Sequence, residues 1–140
     1  MVWGSDMSKV KIIVADDSLT ARMFTTRCLE VVGLSDVEIR EAGDGEKVMT
    51  LLQEDSVDLI VLDINMPIMD GKEVLKKVKA DKQLKEIPVL IVSSISNPET
   101  DKKLEDDGAY AVIKKPVSPA KFMEPIKALA LDGGGVSDGW

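Results

Sequence analysis

The chain contains no histidine and a single cysteine, Cys28. Without imidazole there is no zinc-hydrolase site of the usual kind, no Ser–His triad and no carrier phosphorylated on its own histidine. One thiol makes neither an intrachain disulfide nor a thiolate metal cluster. No apolar run approaches the length of a membrane span, and Met1 to Lys9 carries no secretory apolar segment. The chain is therefore expected in the cytoplasm, without a membrane. Basic charge is also short: 18 Lys and Arg against 25 Asp and Glu give a net charge of −7, with no basic tail. Nucleic acid, which is gripped by clustered cations, is not an expected partner. What remains is chemistry by carboxylates, lysines, hydroxyls, backbone and bound metal. The 140 residues are enough for one domain.

Four short apolar runs stand out: Val10 to Ala15, Leu59 to Leu62, Val89 to Val92 and Tyr110 to Ile113. None alternates, as befits strands of a parallel sheet covered on both faces. Val37 to Ala42 is a weaker fifth candidate and reads as an edge strand. Between the runs lie helical patterns. Leu19 to Val32, with Phe24, Cys28, Val31 and Val32 as its apolar face, stops at Gly33. Glu46 to Gln53 carries Val48, Leu51 and Leu52; Gly71 to Ala80 carries Val74, Leu75 and Val78 opposite a solvated face of Lys72, Lys76 and Lys79. Asp70 with Glu73 forms a capping box, and Asn97-Pro98 and Ser118-Pro119 are helix starts. Cys28 reads as a small core residue, and Met66 and Met69 as turn packing. The alternation predicts a doubly wound α/β fold, a five-stranded parallel sheet with helices on both faces. The folded unit is residues 9–131, with flexible tails at 1–8 and 132–140.

Each confident strand ends in polar residues: Asp16-Asp17, Asp63, Ser93-Ser94, and Lys114-Lys115 before Pro116. Sites in open parallel sheets form beyond the carboxyl ends of the strands, so these residues should converge. Unit charges 4 Å apart interact by roughly 4 kcal/mol at an effective dielectric of 20. Three clustered carboxylates must therefore take up protons, pair with a cation or bind a metal. Oxygen-only ligands favour a hard ion, Mg²⁺ before Ca²⁺ or Mn²⁺. A carboxylate is also a competent nucleophile toward phosphorus, with metal and lysine neutralising the charge on the transferred group.

These residues resemble the receiver domains of bacterial response regulators, the CheY-like family. Asp16-Asp17 is similar to its acidic pair, and Asp63-Ile64-Asn65-Met66-Pro67-Ile68-Met69-Asp70-Gly71 to its phosphoacceptor loop. Ser93 matches the switch hydroxyl, Lys115-Pro116 the lysine and its often cis proline, and Gly108-Ala109 the approach to the last strand. The resemblance implies a (βα)5 flavodoxin-like fold of strand order 2-1-3-4-5. It implies that Asp63 accepts a phosphoryl group from a histidine kinase or phosphotransfer protein. Asp17, Asp63 and the backbone carbonyl of Asn65 would hold Mg²⁺, with Asp16 assisting mostly through water. Lys115 would pair with the acceptor and then with the phosphoryl group. Ser93 would turn toward that group and shift the surface that docks a downstream protein. On this reading the chain is a switch, not a metabolic enzyme, and the short stretch after the last helix leaves no room for a DNA-binding module.

Taken singly, Asp17 could be a helix cap, Asp63 a turn residue, Lys115 a surface charge and Ser93 a strand-end hydroxyl; the joint pattern carries the reading. Three departures from the family touch the output face. Val112 stands where many receivers have an aromatic switch residue, with Tyr110 two positions away in the same strand. The fourth helix has Leu104 as its main apolar anchor and should be loosely held, and Pro125 should kink or break the last helix. Ile64 replaces a Trp found beside some acceptors; with only Trp3 and Trp140, both in the tails, fluorescence quenching by metal should be weak. Two other readings remain. A Mg²⁺-dependent phosphohydrolase with an aspartyl-phosphate intermediate would want a second acid where Asn65 stands. A flavodoxin-like cofactor binder would place its phosphate against Asp16-Asp17.

Overall fold

The computed structural model describes residues 9–95 and 97–129. Both tails, with Trp3 and Trp140 and the domain limit at 131, lie outside them. Five strands alternate with five helices: β1 Val10–Ala15, α1 Leu19–Val31, β2 Val37–Ala42, α2 Gly45–Glu54, β3 Leu59–Asp63, α3 Gly71–Ala80, β4 Val89–Ser93, α4 Pro98–Asp106, β5 Ala111–Lys114 and α5 Pro119–Leu129. All strand pairs are parallel, in the order β2-β1-β3-β4-β5.

The unbroken apolar runs follow from the two layers. Ile12, Val14, Leu59, Val61, Leu90 and Val92 pack with Cys28, Leu29, Phe122 and Ile126 of α1 and α5. Their alternates Ile13, Ala15, Ile60, Leu62, Val89 and Ile91 pack with Val48, Val74, Leu75 and Leu104 of α2, α3 and α4. With both faces covered, the central positions of these strands are apolar on both sides, and polar residues such as Lys11, Asp63 and Ser93 fall toward the strand ends. β2, on the sheet edge, is only half-buried.

The helix starts read at Asp70 and Asn97 hold, while Ser18 rather than Asp17 caps α1 and Asp44 supplies a cap for α2 that the sequence reading did not name. Ser18, Asp44, Asp70 and Asn97 accept hydrogen bonds from the first-turn amides of α1 to α4. Gly33 ends α1 with a φ of 110°, a conformation that L side chains rarely adopt. Other expectations need correction. The buried face of α1 is Thr25, Cys28, Leu29 and Val32, whereas Phe24 and Val31 are exposed. Tyr110 precedes β5 and is also exposed. Lys79 is not part of a solvated face: its ammonium donates to the carbonyls of Lys85 (2.9 Å) and Ile87 (2.7 Å), closing the loop before β4. Pro125 does not break α5, which runs through it with Phe122 and Ile126 seated on the sheet. Leu104 is the only buried residue of α4, as read. That helix has a second hold, since Lys114 pairs with Asp101 (2.6 Å) and donates to the Ile95 carbonyl.

At the opposite end of the sheet, Lys11 is buried and its ammonium donates to Asp55 (3.0 Å). That hydrogen bond, then one from the Ser56 amide, holds the Asp55 carboxyl below the usual range. A depressed acid contributes stability above its unfolded value, about 3.9, and loses it as pH falls through the folded value. In thermal melts the gap between wild type and Asp55→Asn is therefore full near neutral pH and closes below about pH 4. A gap that stays constant across that range contradicts the pairing.

Candidate functional site

The sheet register explains why the polar strand ends meet. Asp63 stands opposite Val92, and Ser93 opposite Lys114, so β3, β4 and β5 finish along one edge. The Asp16-Asp17 turn leaves β1 beside them. One carboxylate oxygen from each of Asp16, Asp17 and Asp63 lies within 4.8 Å of the others. Asp16 and Asp63 are buried and Asp17 is exposed, so the cluster opens to solvent on one side.

Lys115 Nζ lies 3.2 Å from Asp16 Oδ2 and 3.5 Å from Asp63 Oδ1. The Lys115 amide donates to the Ser93 carbonyl (2.8 Å), and the Lys115–Pro116 bond is cis. Burial, then the charge of Asp16, pushes the Asp63 carboxyl above its ordinary value, while Lys115 and the Asn65 amide pull the other way. For Lys115, burial acts downward but Asp63 and Asp16 outweigh it, so the ammonium is held above its ordinary value. Asp63 is thus a buried acid short of compensating charge, which is what a cation site requires.

Asp16 is fixed on every side. Its amide donates to Ala42 O (3.0 Å), and its Oδ1 accepts from the Ser18 amide (2.9 Å). Its carbonyl accepts from Arg22 Nη1 (2.6 Å). Ser93 is buried, with its Oγ accepting from the Ile95 amide (3.0 Å). The Asn65 side chain is exposed, and its amide faces the Asp63 carboxylate. Beside the acids, a cavity of about 180 Å³ runs between α1 and the turn after β5, lined by Asp16, Phe24, Lys115 and Pro116 among others. Phe24, exposed on α1, forms part of the cavity wall. Tyr110, at the far end of β5 from the acids, borders a groove with Val112 and Pro125.

The sequence reading missed Arg22 and Lys121, and it placed Lys114 with Lys115 among the converging groups, whereas the Lys114 ammonium turns to Asp101 and the Ile95 carbonyl. Lys121 donates to the carbonyls of Lys114 (3.0 Å) and Pro116 (2.8 Å), on either side of Lys115. A cation five positions after Asp17, one turn into a helix capped by Ser18, was the available signal for Arg22. Lys121 had none.

A parallel sheet of this order with an acidic cluster and a lysine at its carboxyl edge defines a class, and comparison with known proteins makes the class definite. A protein-family model, the response regulator receiver domain, matches residues 12–127. The polar-differentiation response regulator DivK of Brucella ovis is 32% identical over 122 residues, spanning 87% of this chain and 96% of DivK. Among solved structures, the chemotaxis response regulator CheY4 of Vibrio cholerae is similar with a TM-score of 0.76 at 27% identity, covering 86% of this chain and 98% of that one. A CheY-like receiver domain protein from Methanospirillum hungatei JF-1 gives 0.75 at 26% identity, over 88% and 95% of the two chains. The chain belongs to the response regulator receiver family of phosphorelay signalling. Among the described residues no helix is long and apolar enough to cross a membrane.

Proposed function

We propose that Asp63 accepts a phosphoryl group from the phosphohistidine of a histidine kinase or phosphotransfer protein, that the transfer depends on Mg²⁺, and that the phosphorylated chain signals by docking to a partner protein in the cytoplasm. The observation that carries this is the meeting of Asp16, Asp17, Asp63 and the Lys115 ammonium at one sheet edge. The donor set fits the metal, because it offers carboxylate and carbonyl oxygen with no nitrogen or sulfur competitor. Asp17, Asp63 and the Asn65 carbonyl would hold the ion, with Asp16 assisting mainly through water. Bound there, it supplies charge neutralisation to the oxygens of the incoming phosphoryl group.

In the transfer, an Asp63 carboxylate oxygen bonds to phosphorus as the phosphorus–nitrogen bond of the donor breaks, and the leaving imidazole takes the electron pair. Lys115, already beside Asp63, stabilises the added charge. Ser93, released from the Ile95 amide, donates to the phosphoryl oxygens and so alters the loop leading to α4. Attack of water on phosphorus later returns the carboxylate and inorganic phosphate. The domain catalyses only its own loading and unloading, and is a switch.

Intact-mass measurement after incubation with acetyl phosphate and Mg²⁺ tests this. Wild type gains one phosphoryl group per chain, labile to base; Asp63→Asn gains none. An adduct retained in Asp63→Asn, or none in wild type, defeats the proposal. Rapid multiple turnover of assorted phosphate monoesters supports the phosphohydrolase instead.

A further inference from the structure

We infer that Arg22 is a positioning residue for the cation site: its guanidinium sets the direction of the Asp16–Asp17 peptide and thereby the spacing of the acidic pair. The inference rests on the reading of Asp16, Asp17 and Asp63 as a Mg²⁺ site. Arg22 lies in the first turns of α1, where its amide donates to the Ser18 carbonyl (3.0 Å). Its side chain runs back toward β1 and is only 17% exposed. Nη1 donates to the Asp16 carbonyl at 2.6 Å, while Nε donates to Glu41 Oε1 of β2 at 2.7 Å. The planar fork is thus held from one side by a charge-assisted bond and spends its other arm on a single backbone oxygen.

That oxygen matters because a peptide is planar. Fixing the Asp16 carbonyl fixes the plane that leads into Asp17. The Asp16 amide is already tied to Ala42, and the two Asp16 carboxylate oxygens to the Ser18 amide and Lys115. Arg22 supplies the remaining constraint, on the side from which the exposed Asp17 departs. Its bonds go to the Asp16 carbonyl and to Glu41, not to the carboxylate oxygens of Asp16, Asp17 or Asp63, so its contribution to the cation site is geometric.

Simple electrostatics makes the opposite prediction. A guanidinium beside three acids repels a divalent ion, and its removal tightens metal binding. Outer partners that orient metal-binding residues instead weaken binding typically 10- to 100-fold when lost. The two accounts differ in sign, which makes the test decisive.

Titration calorimetry of the full chain with MgCl₂, comparing wild type, Arg22→Met and Arg22→Lys, is the experiment, with folding checked by thermal melting. Arg22→Met raises the Mg²⁺ Kd about 10-fold or more. Arg22→Lys keeps the charge and the stem but loses the fork, and stays weakened severalfold; it also decides the matter if Arg22→Met does not fold. An unchanged or tighter Kd in the folded variants overturns the inference, even if their melting temperatures fall, because a merely structural tether would lower stability without moving the Kd. Wild-type protein that binds no Mg²⁺ overturns both this inference and the site reading on which it rests.

Discussion

Lys115→Met slows phosphoryl uptake from acetyl phosphate by about 100-fold or more, while Asp63 remains the residue labelled. The ammonium stands 3.2 Å from Asp16 and 3.5 Å from Asp63 before any phosphoryl group arrives, so it is preorganised for the charge that develops there. Loss of one preorganised donor of this kind costs about 10²–10³ in rate. The defect should be constant across neutral pH. Lys115 is held above its ordinary value by Asp63 and Asp16, so its ammonium stays charged throughout the neutral range.

Stability moves in a way that separates charge from packing. Burial and Asp16 already hold the Asp63 carboxyl above its ordinary value, so folding disfavours its ionised form at neutral pH. Lys115→Met removes the compensating cation and lowers the melting temperature, whereas Asp63→Asn in the wild-type background raises it, by about 0.5–2 kcal/mol of stability. Time-resolved mass spectrometry and thermal melts check both parts. Near-wild-type labelling of Lys115→Met removes Lys115 from the chemistry.

The parts of this molecule legible from sequence are those where side chains alone set the outcome. The middles of doubly covered strands are apolar, so Ile12 to Ala15 and Leu59 to Leu62 announce themselves, and the acids that follow them mark the carboxyl edge. The face of α1 is legible only in part: Cys28 and Val32 are buried as expected, but Leu19, Met23, Phe24 and Val31 are apolar yet exposed, while the polar Thr25 is buried. When both sides of a helix carry apolar residues, periodicity does not say which side meets the sheet. The cations were harder still. Arg22, Lys79, Lys114 and Lys121 all donate to backbone carbonyls. Every residue has a carbonyl, so the sequence does not tell which ones lack a partner within reach of a long side chain. Two exposed-looking lysines can therefore be a surface face, as Lys72 and Lys76 are, or a loop closure, as Lys79 is.

Gly71→Ala destabilises the domain by about 3 kcal/mol and displaces the end of β3 that carries Asp63. On helix propensity alone the change should help, since Ala exceeds Gly by about 0.8–1.0 kcal/mol in a helix interior. Gly71 is the first residue of α3, however, and its amide donates to the Ile64 carbonyl at 2.9 Å. A Cβ there would lie 2.5 Å from the Asp63 carbonyl oxygen and 2.8 Å from Ile64 Cα. Both are backbone atoms at the end of a fully buried strand, so neither can swing aside as a flexible side chain would. The helix must retreat or the Asp63 backbone must shift, and the second outcome misplaces the carboxylate itself. Gly43→Ala is the matched control, because its Cβ would meet only Arg22 Nη1 at 3.6 Å, an ordinary contact. A fall in melting temperature of about 10 °C for Gly71→Ala, with slower labelling of Asp63, against a change near zero for Gly43→Ala, is the expected pattern. Equal stability of the two variants would mean that α3 does not press on the end of β3 as the structure has it.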